Sequence, residues 1–147
     1  MSRMKTILLM LMVPFAMFGQ SNIETNKFVE ANVGLATIDG YSYNTAFPGC
    51  SVLYGQTTSF DEAIVVEWEV GLAFPSIATG KVGFGFGNTK NNVMASLRIW
   101  PLTFGPQIRI ENFVASFEIG NTEELSMEAG FIATIGYRFT IKTKQRR

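Results

Sequence analysis

Residues 125–141 read LSMEAGFIATIGYRFTI, and their order decides the fold. Leu125, Met127, Ala129, Phe131, Ala133, Ile135, Tyr137, Phe139 and Ile141 are apolar. The residues between them, Ser126, Glu128, Gly130, Thr134, Gly136, Arg138 and Thr140, are small or polar, with Ile132 the exception. A period of two belongs to a strand, whose side chains alternate between faces, whereas a helix repeats at three and four residues. One face of this segment therefore needs an apolar neighbour along its whole length, and the other does not.

The same alternation recurs upstream. Val29, Ala31, Val33 and Leu35 alternate with Glu30, Asn32 and Gly34, and Ile64 through Phe74 alternate with Glu67, Glu69 and Gly71. Val82, Phe84 and Phe86 interleave with Lys81, Gly83, Gly85 and Gly87, and Val93 through Ile99 with Ser96 and Arg98. No window of the mature chain carries a helical period. The reading is all-β: an up-and-down antiparallel β-barrel of about eight strands, at 28–38, 48–57, 62–74, 80–87, 92–100, 102–110, 113–119 and 125–141. Short turns at 58–61, 88–91 and 111–112 alternate with connections at 39–47, 75–79, around Trp100-Pro101 and at 120–124. Both termini and the short turns fall on one side, and most of the longer loops on the other.

The first 19 residues are set apart from this pattern. Arg3 and Lys5 precede an apolar run from Ile7 to Phe18, which has the form of a cleavable secretory signal peptide and is too short to span a bilayer. Gly19-Gln20-Ser21 supplies small residues for cleavage, after Gly19 or after Ser21. The barrel domain then occupies 20–141, and 142–147 form a basic tail with Lys142, Lys144, Arg146 and Arg147. Export implies an oxidising compartment, but Cys50 is the sole cysteine, so no internal disulfide forms.

Composition narrows the function. The 147 residues hold 12 Lys+Arg, 12 Asp+Glu and no His, and the 16% charged share is well below the roughly 25% usual for soluble domains. Without a basic face, nucleic acid is not an expected partner, and the commonest metal ligand and general base is missing. Charge is also segregated: the apolar phases of the strands carry none once Glu62, at the edge of 62–74, is assigned to a turn, while the opposite phases hold Glu30, Glu67, Glu69, Lys81, Arg98, Arg109, Glu118, Glu128 and Arg138.

A charge-free face is either a soluble core or a lipid-facing exterior, and volume separates the two. The interior of an eight-stranded barrel is just wide enough for side chains to fill it. Bulky Phe, Trp, Ile and Leu would overfill it, whereas the phase rich in glycine, with Gly34, Gly71, Gly83, Gly130 and Gly136, has the right sizes. The expectation is a lumen plugged by ion pairs among Glu30, Glu67, Glu69, Arg98, Arg109, Glu118, Glu128 and Arg138, because an isolated buried charge costs several kcal/mol. Arg138 and Glu30 should meet near the short-turn end, with Arg98, Glu118 and Glu128 toward the long-loop end. Trp68, Phe74, Tyr137 and Phe139 are candidates for interfacial aromatic belts.

No catalytic, cofactor or metal site emerges. The glycines of Gly83-Phe-Gly85-Phe-Gly87 alternate with Phe and no helix follows, so they do not form a phosphate-binding loop. Glu67 and Glu69 share one strand face but flank no cleft, as an acid/base pair would require. Glu30, Glu67, Glu69 and Glu128 lack the spacing of a loop for a hard cation.

The ending Thr134-x-Gly136-x-x-Phe139-x-Ile141 resembles the terminal-strand signal by which the outer-membrane assembly machinery recognises its clients: a polar residue, Gly, then two hydrophobic residues, the first usually aromatic. Six residues follow Ile141, where the pattern usually stops at an aromatic. In architecture the whole mature chain is similar to small eight-stranded bacterial outer-membrane β-barrel proteins. That resemblance implies outer-membrane lipid and the barrel-assembly machinery as partners and a non-enzymatic envelope or surface-contact role. The alternative is a soluble periplasmic or secreted lipocalin-like barrel, its apolar face turned inward around a hydrophobic ligand.

Overall fold

The computed structural model describes residues 22–39, 46–120 and 128–141. The expected signal peptide at 1–19, the small residues Gly19 and Ser21 expected at its cleavage, the basic tail, Leu125 and Met127 lie outside the described residues. The described residues form eight strands: β1 Ile23–Asp39, β2 Phe47–Phe60, β3 Ile64–Phe74, β4 Ile77–Gly87, β5 Asn91–Arg98, β6 Thr103–Ile110, β7 Phe113–Gly120 and β8 Glu128–Ile141. Each pairs antiparallel with its neighbour in the chain, and β8 pairs with β1 to close the barrel.

The register sets the barrel's proportions. Starting at Lys27, the row of paired residues runs through Gln56, Trp68, Val82, Leu97, Phe104, Ile119 and Phe131 and returns to β1 at Thr37, ten residues on (37 against 27). A stagger of that size over eight strands corresponds to a tilt of roughly 40° and an interior that side chains fill.

Alternation sorts the side chains as the volume argument requires. Val33, Leu72, Phe86, Phe104 and Ile135 are among many large apolar residues standing more than half exposed on the outside, while Glu30, Arg109, Glu118 and Arg138 are almost wholly buried within. An inward apolar face, which the carrier alternative needs, is not what these strands present. Cys50 is free and exposed on β2.

Some boundaries differ from expectation. β1 starts at Ile23 rather than 28, which brings Lys27 onto the outer face opposite Gln56 and Ile141. The turn expected at 58–61 lies at 61–63, because Thr58 and Ser59 continue to pair with Val66 and Val65. The loop expected at 75–79 shrinks to Pro75-Ser76, since Ala73 pairs with Ile77, which adopts φ 66. β5 ends at Arg98, so 99–102 form the connection. The expected contrast between short turns and longer loops is therefore weaker: two connections on the loop side are themselves tight. Here strand pairing overrides the breaker residues that suggested loops.

Candidate functional site

A connected set of polar side chains runs through the lumen. Four buried carboxylates, Glu30, Glu67, Glu69 and Glu118, face four buried cations, Lys81, Arg98, Arg109 and Arg138, so the described interior is electroneutral. Its centre is Arg138 on β8. The guanidinium donates to both oxygens of Glu67 at 2.6 and 2.7 Å, to Glu69 Oε1 at 2.6 Å, and through Nε to Glu30. Two parallel N–H···O bonds to one carboxylate fix its plane as well as its distance. Glu30 and Arg138 are also direct neighbours in the register that closes the barrel.

A second cluster lies toward the loop end. Arg98 donates to the two oxygens of Glu118 at 2.7 and 3.0 Å, and Thr103 and Ser116 donate to the same carboxylate at 2.7 and 3.2 Å. Lys81 joins the clusters: its ammonium is 3.8 Å from Glu69, 3.5 Å from Glu118 and bonded to Gln107 Oε1. Gln107 in turn donates to Glu67 at 2.8 Å. A continuous chain of charge and amide thus crosses the lumen from Glu30 to Arg98.

Of the charged residues singled out from sequence, Glu30, Glu67, Glu69, Arg98, Glu118 and Arg138 meet in this network. Arg109 does not meet a carboxylate. Among the described residues it has no salt-bridge partner; its Nε donates to the carbonyl of Glu111 at 2.8 Å and its Nη1 to Thr57 at 3.4 Å. Its place at the short-turn end of β6 puts a turn carbonyl within closer reach than a carboxylate, so among the described residues Arg109 joins the network through Thr57, which donates to Glu67, rather than through an ion pair. The side chain of Glu128 lies outside those described.

Several members had no signature as charges. Phe28 is only 1% exposed and lies under Arg138, 3.9 Å from guanidinium carbon to ring centroid, a cation–π contact inside the plug. Its position, two before Glu30, was the available signal. Thr57, Thr103, Gln107 and Ser116 supply neutral hydrogen bonds, and Gly55 clears space: a Cβ there would come within 2.7 Å of the Phe28 ring and 3.0 Å of Glu69. The apolar side chains of Leu53, Val65, Met94, Val114 and Ile132 complete the filling.

The remaining sequence motifs divide between the two faces. Of the terminal-strand pattern, Gly136 is buried against Asn32 and Thr134 shares a 2.7 Å hydrogen bond with Ser116, while Phe139 and Ile141 are exposed outside. Trp68, Phe74, Tyr137 and Phe139 all stand on the outer surface. Tyr137 packs edge-on against Phe113 and Phe139 near the short turns, Trp68 edge-on against Tyr54 in mid-wall, and Phe74 at a tilt against Phe47 near the loops. At the loop-side mouth Arg98, Asn32, Ser51, Ser76 and Thr134 border a small recess of about 50 Å³.

Comparison of the chain with protein-family models, with curated proteins and with solved structures gave no match.

Proposed function

We propose that this chain is a small outer-membrane β-barrel with a plugged, ion-paired lumen, exported by a cleavable leader and serving the envelope without enzymatic chemistry. The observation that carries the reading is the sidedness of the wall. Among the strand residues whose side chains are described, Lys27 is the one charged side chain on the outer face, and the interior holds the rest of that charge apart from Glu24 at the open end of β1. A soluble monomer rarely exposes a contiguous apolar patch beyond a few hundred Å². Here the exposed apolar residues encircle the barrel.

Dimensions support the same reading. β3 and β4 are 11 residues each, and at a tilt of roughly 40° such strands rise about 25 Å, the height of an outer-membrane apolar band. Lys27 lies at the short-turn margin, where its long stem reaches an interface while its charge stays wet. Outer-membrane lipid is the partner this surface suits, and the barrel-assembly machinery is the partner its terminal strand suits.

A plug rather than a pore follows from the lumen. Glu67 accepts from Arg138, Gln107 and Thr57, and Glu118 from Arg98, Thr103 and Ser116, so these carboxylates are engaged and face no cleft. Envelope fractionation tests the reading. Detergent-dependent extraction with heat-modifiable gel migration is the expected result; recovery in osmotic-shock fluid would overturn it. In planar bilayers the purified protein should give no sustained large conductance steps, and such steps would refute the plug.

A further inference from the structure

At the short-turn end, Asp61 and Asn22 close a ring of two hydrogen bonds. Asn22 N donates to Asp61 Oδ1 at 2.7 Å, and Asp61 N donates to Asn22 O at 3.0 Å. Asp61 begins the 61–63 turn at φ 53, and among the described residues no lysine or arginine pairs with it. The carboxylate is therefore aimed at a main-chain nitrogen, with no cation paired to it among the described residues. Asn22 immediately precedes β1, and the bond before it follows the small residues Gly19 and Ser21, three and one positions upstream of that bond.

We propose that the leader is removed at the Ser21–Asn22 bond and that the α-ammonium so released becomes the counter-charge of Asp61. The inference rests on the export reading above. Hydrolysis by an envelope signal peptidase uses one water: the Ser21 carbonyl carbon takes the hydroxyl and leaves as a carboxylic acid, and the Asn22 nitrogen takes the proton. At neutral pH the new amine, with an ordinary pKa of roughly 7.7–8.0, is mostly protonated. The contact then becomes a charge-assisted bond, for which 2.7–2.9 Å is the usual length. Cleavage there leaves Asn22 alone before the strand. Cleavage after Gly19 instead interposes Gln20 and Ser21, a reach of up to about 7 Å, between the ammonium and the carboxylate.

Intact mass and N-terminal sequencing of the protein purified from the envelope test the cleavage. A chain starting at Asn22 supports the proposal. A start at Gln20, or elsewhere downstream of the leader, overturns it while leaving export intact, whereas an envelope protein starting at Met1 removes the export reading itself. The ion pair has its own readout: acylation of the α-amine by a succinimidyl ester at pH 7, followed by mass. Asp61→Asn, which suits a positive φ, should acylate several-fold faster than the parent. Equal rates would refute the pairing.

Discussion

Arg138 on β8 and Glu67 on β3 meet face to face across the lumen, joined by two parallel hydrogen bonds of 2.6 and 2.7 Å although 71 residues separate them in the chain. Neither strand touches the other in the sheet, so the pair braces the closed wall from within. Taking both charges out of water is costly, and geometry this complete is what offsets the cost. Removing one partner leaves the other uncompensated. Arg138→Met should therefore destabilise the barrel by about 3–5 kcal/mol, because it strips Glu67, Glu69 and Glu30 of their shared cation. Urea unfolding in lipid vesicles, followed by the gel shift, measures this. Stability within about 0.5 kcal/mol of the parent would mean the network contributes nothing.

Arg109 provides the contrast. It is as buried as Arg138 but is held by the Glu111 carbonyl and Thr57 rather than by a carboxylate. Arg109→Met removes those bonds without stranding an anion in contact, so the expected loss is about 1–3 kcal/mol. The same unfolding assay ranks the two substitutions. Equal or greater loss at Arg109 would show that the lumen's field, rather than its direct contacts, governs stability.

The outer face makes an opposite demand. Phe84 and Ile135 are 56% and 65% exposed and lie well inside their strands. If hydrocarbon surrounds them, Phe84→Arg or Ile135→Arg costs about 2–4 kcal/mol, most at the midplane. In water the same changes would be nearly neutral or would improve solubility. Vesicle unfolding of each variant distinguishes the cases, and indifference at both positions would reject a lipid-facing wall.

How much of this was legible in the sequence depends on which force sets each feature. The period-two pattern of 125–141 and its counterparts identifies strands, and segregating charge onto one phase identifies the inner face, because both follow from alternation alone. The pairing of Arg138 with Glu67 needs the register around the whole barrel, which no local pattern contains. Phe28 was missed because an aromatic ring was expected outside; its place under a guanidinium depends on the gap left by Gly55 on the neighbouring strand. Arg109 was assigned a carboxylate because charge balance has no way to register a nearby turn carbonyl. The 75–79 loop failed for a different reason: proline and glycine mark breaks, but the ladder between Ala73 and Ile77 continues to within one short turn.

Gly83 and Gly85 sit two apart on the same strand, both on the face that looks inward, yet they should respond differently to a methyl group. A Cβ at Gly83 would meet the sulfur of Met94 at 2.6 Å, the far part of a flexible side chain that can swing aside. At Gly85 the added carbon meets the Val93 carbonyl oxygen and the Met94 backbone, neither of which can move without pulling β5 from β4. Gly83→Ala should thus cost about 1 kcal/mol or less, and Gly85→Ala more than about 2 kcal/mol, in the range of overpacked cores. Met94→Ala should restore part of the loss at Gly83 and none at Gly85. A double-mutant cycle by urea unfolding reads the coupling directly: coupling of about 0.5 kcal/mol or more is expected for the Gly83 pair. If both glycines couple equally to Met94, the crowding comes from lumen side chains alone, and the close approach of the β4 and β5 backbones is not what requires glycine at 85.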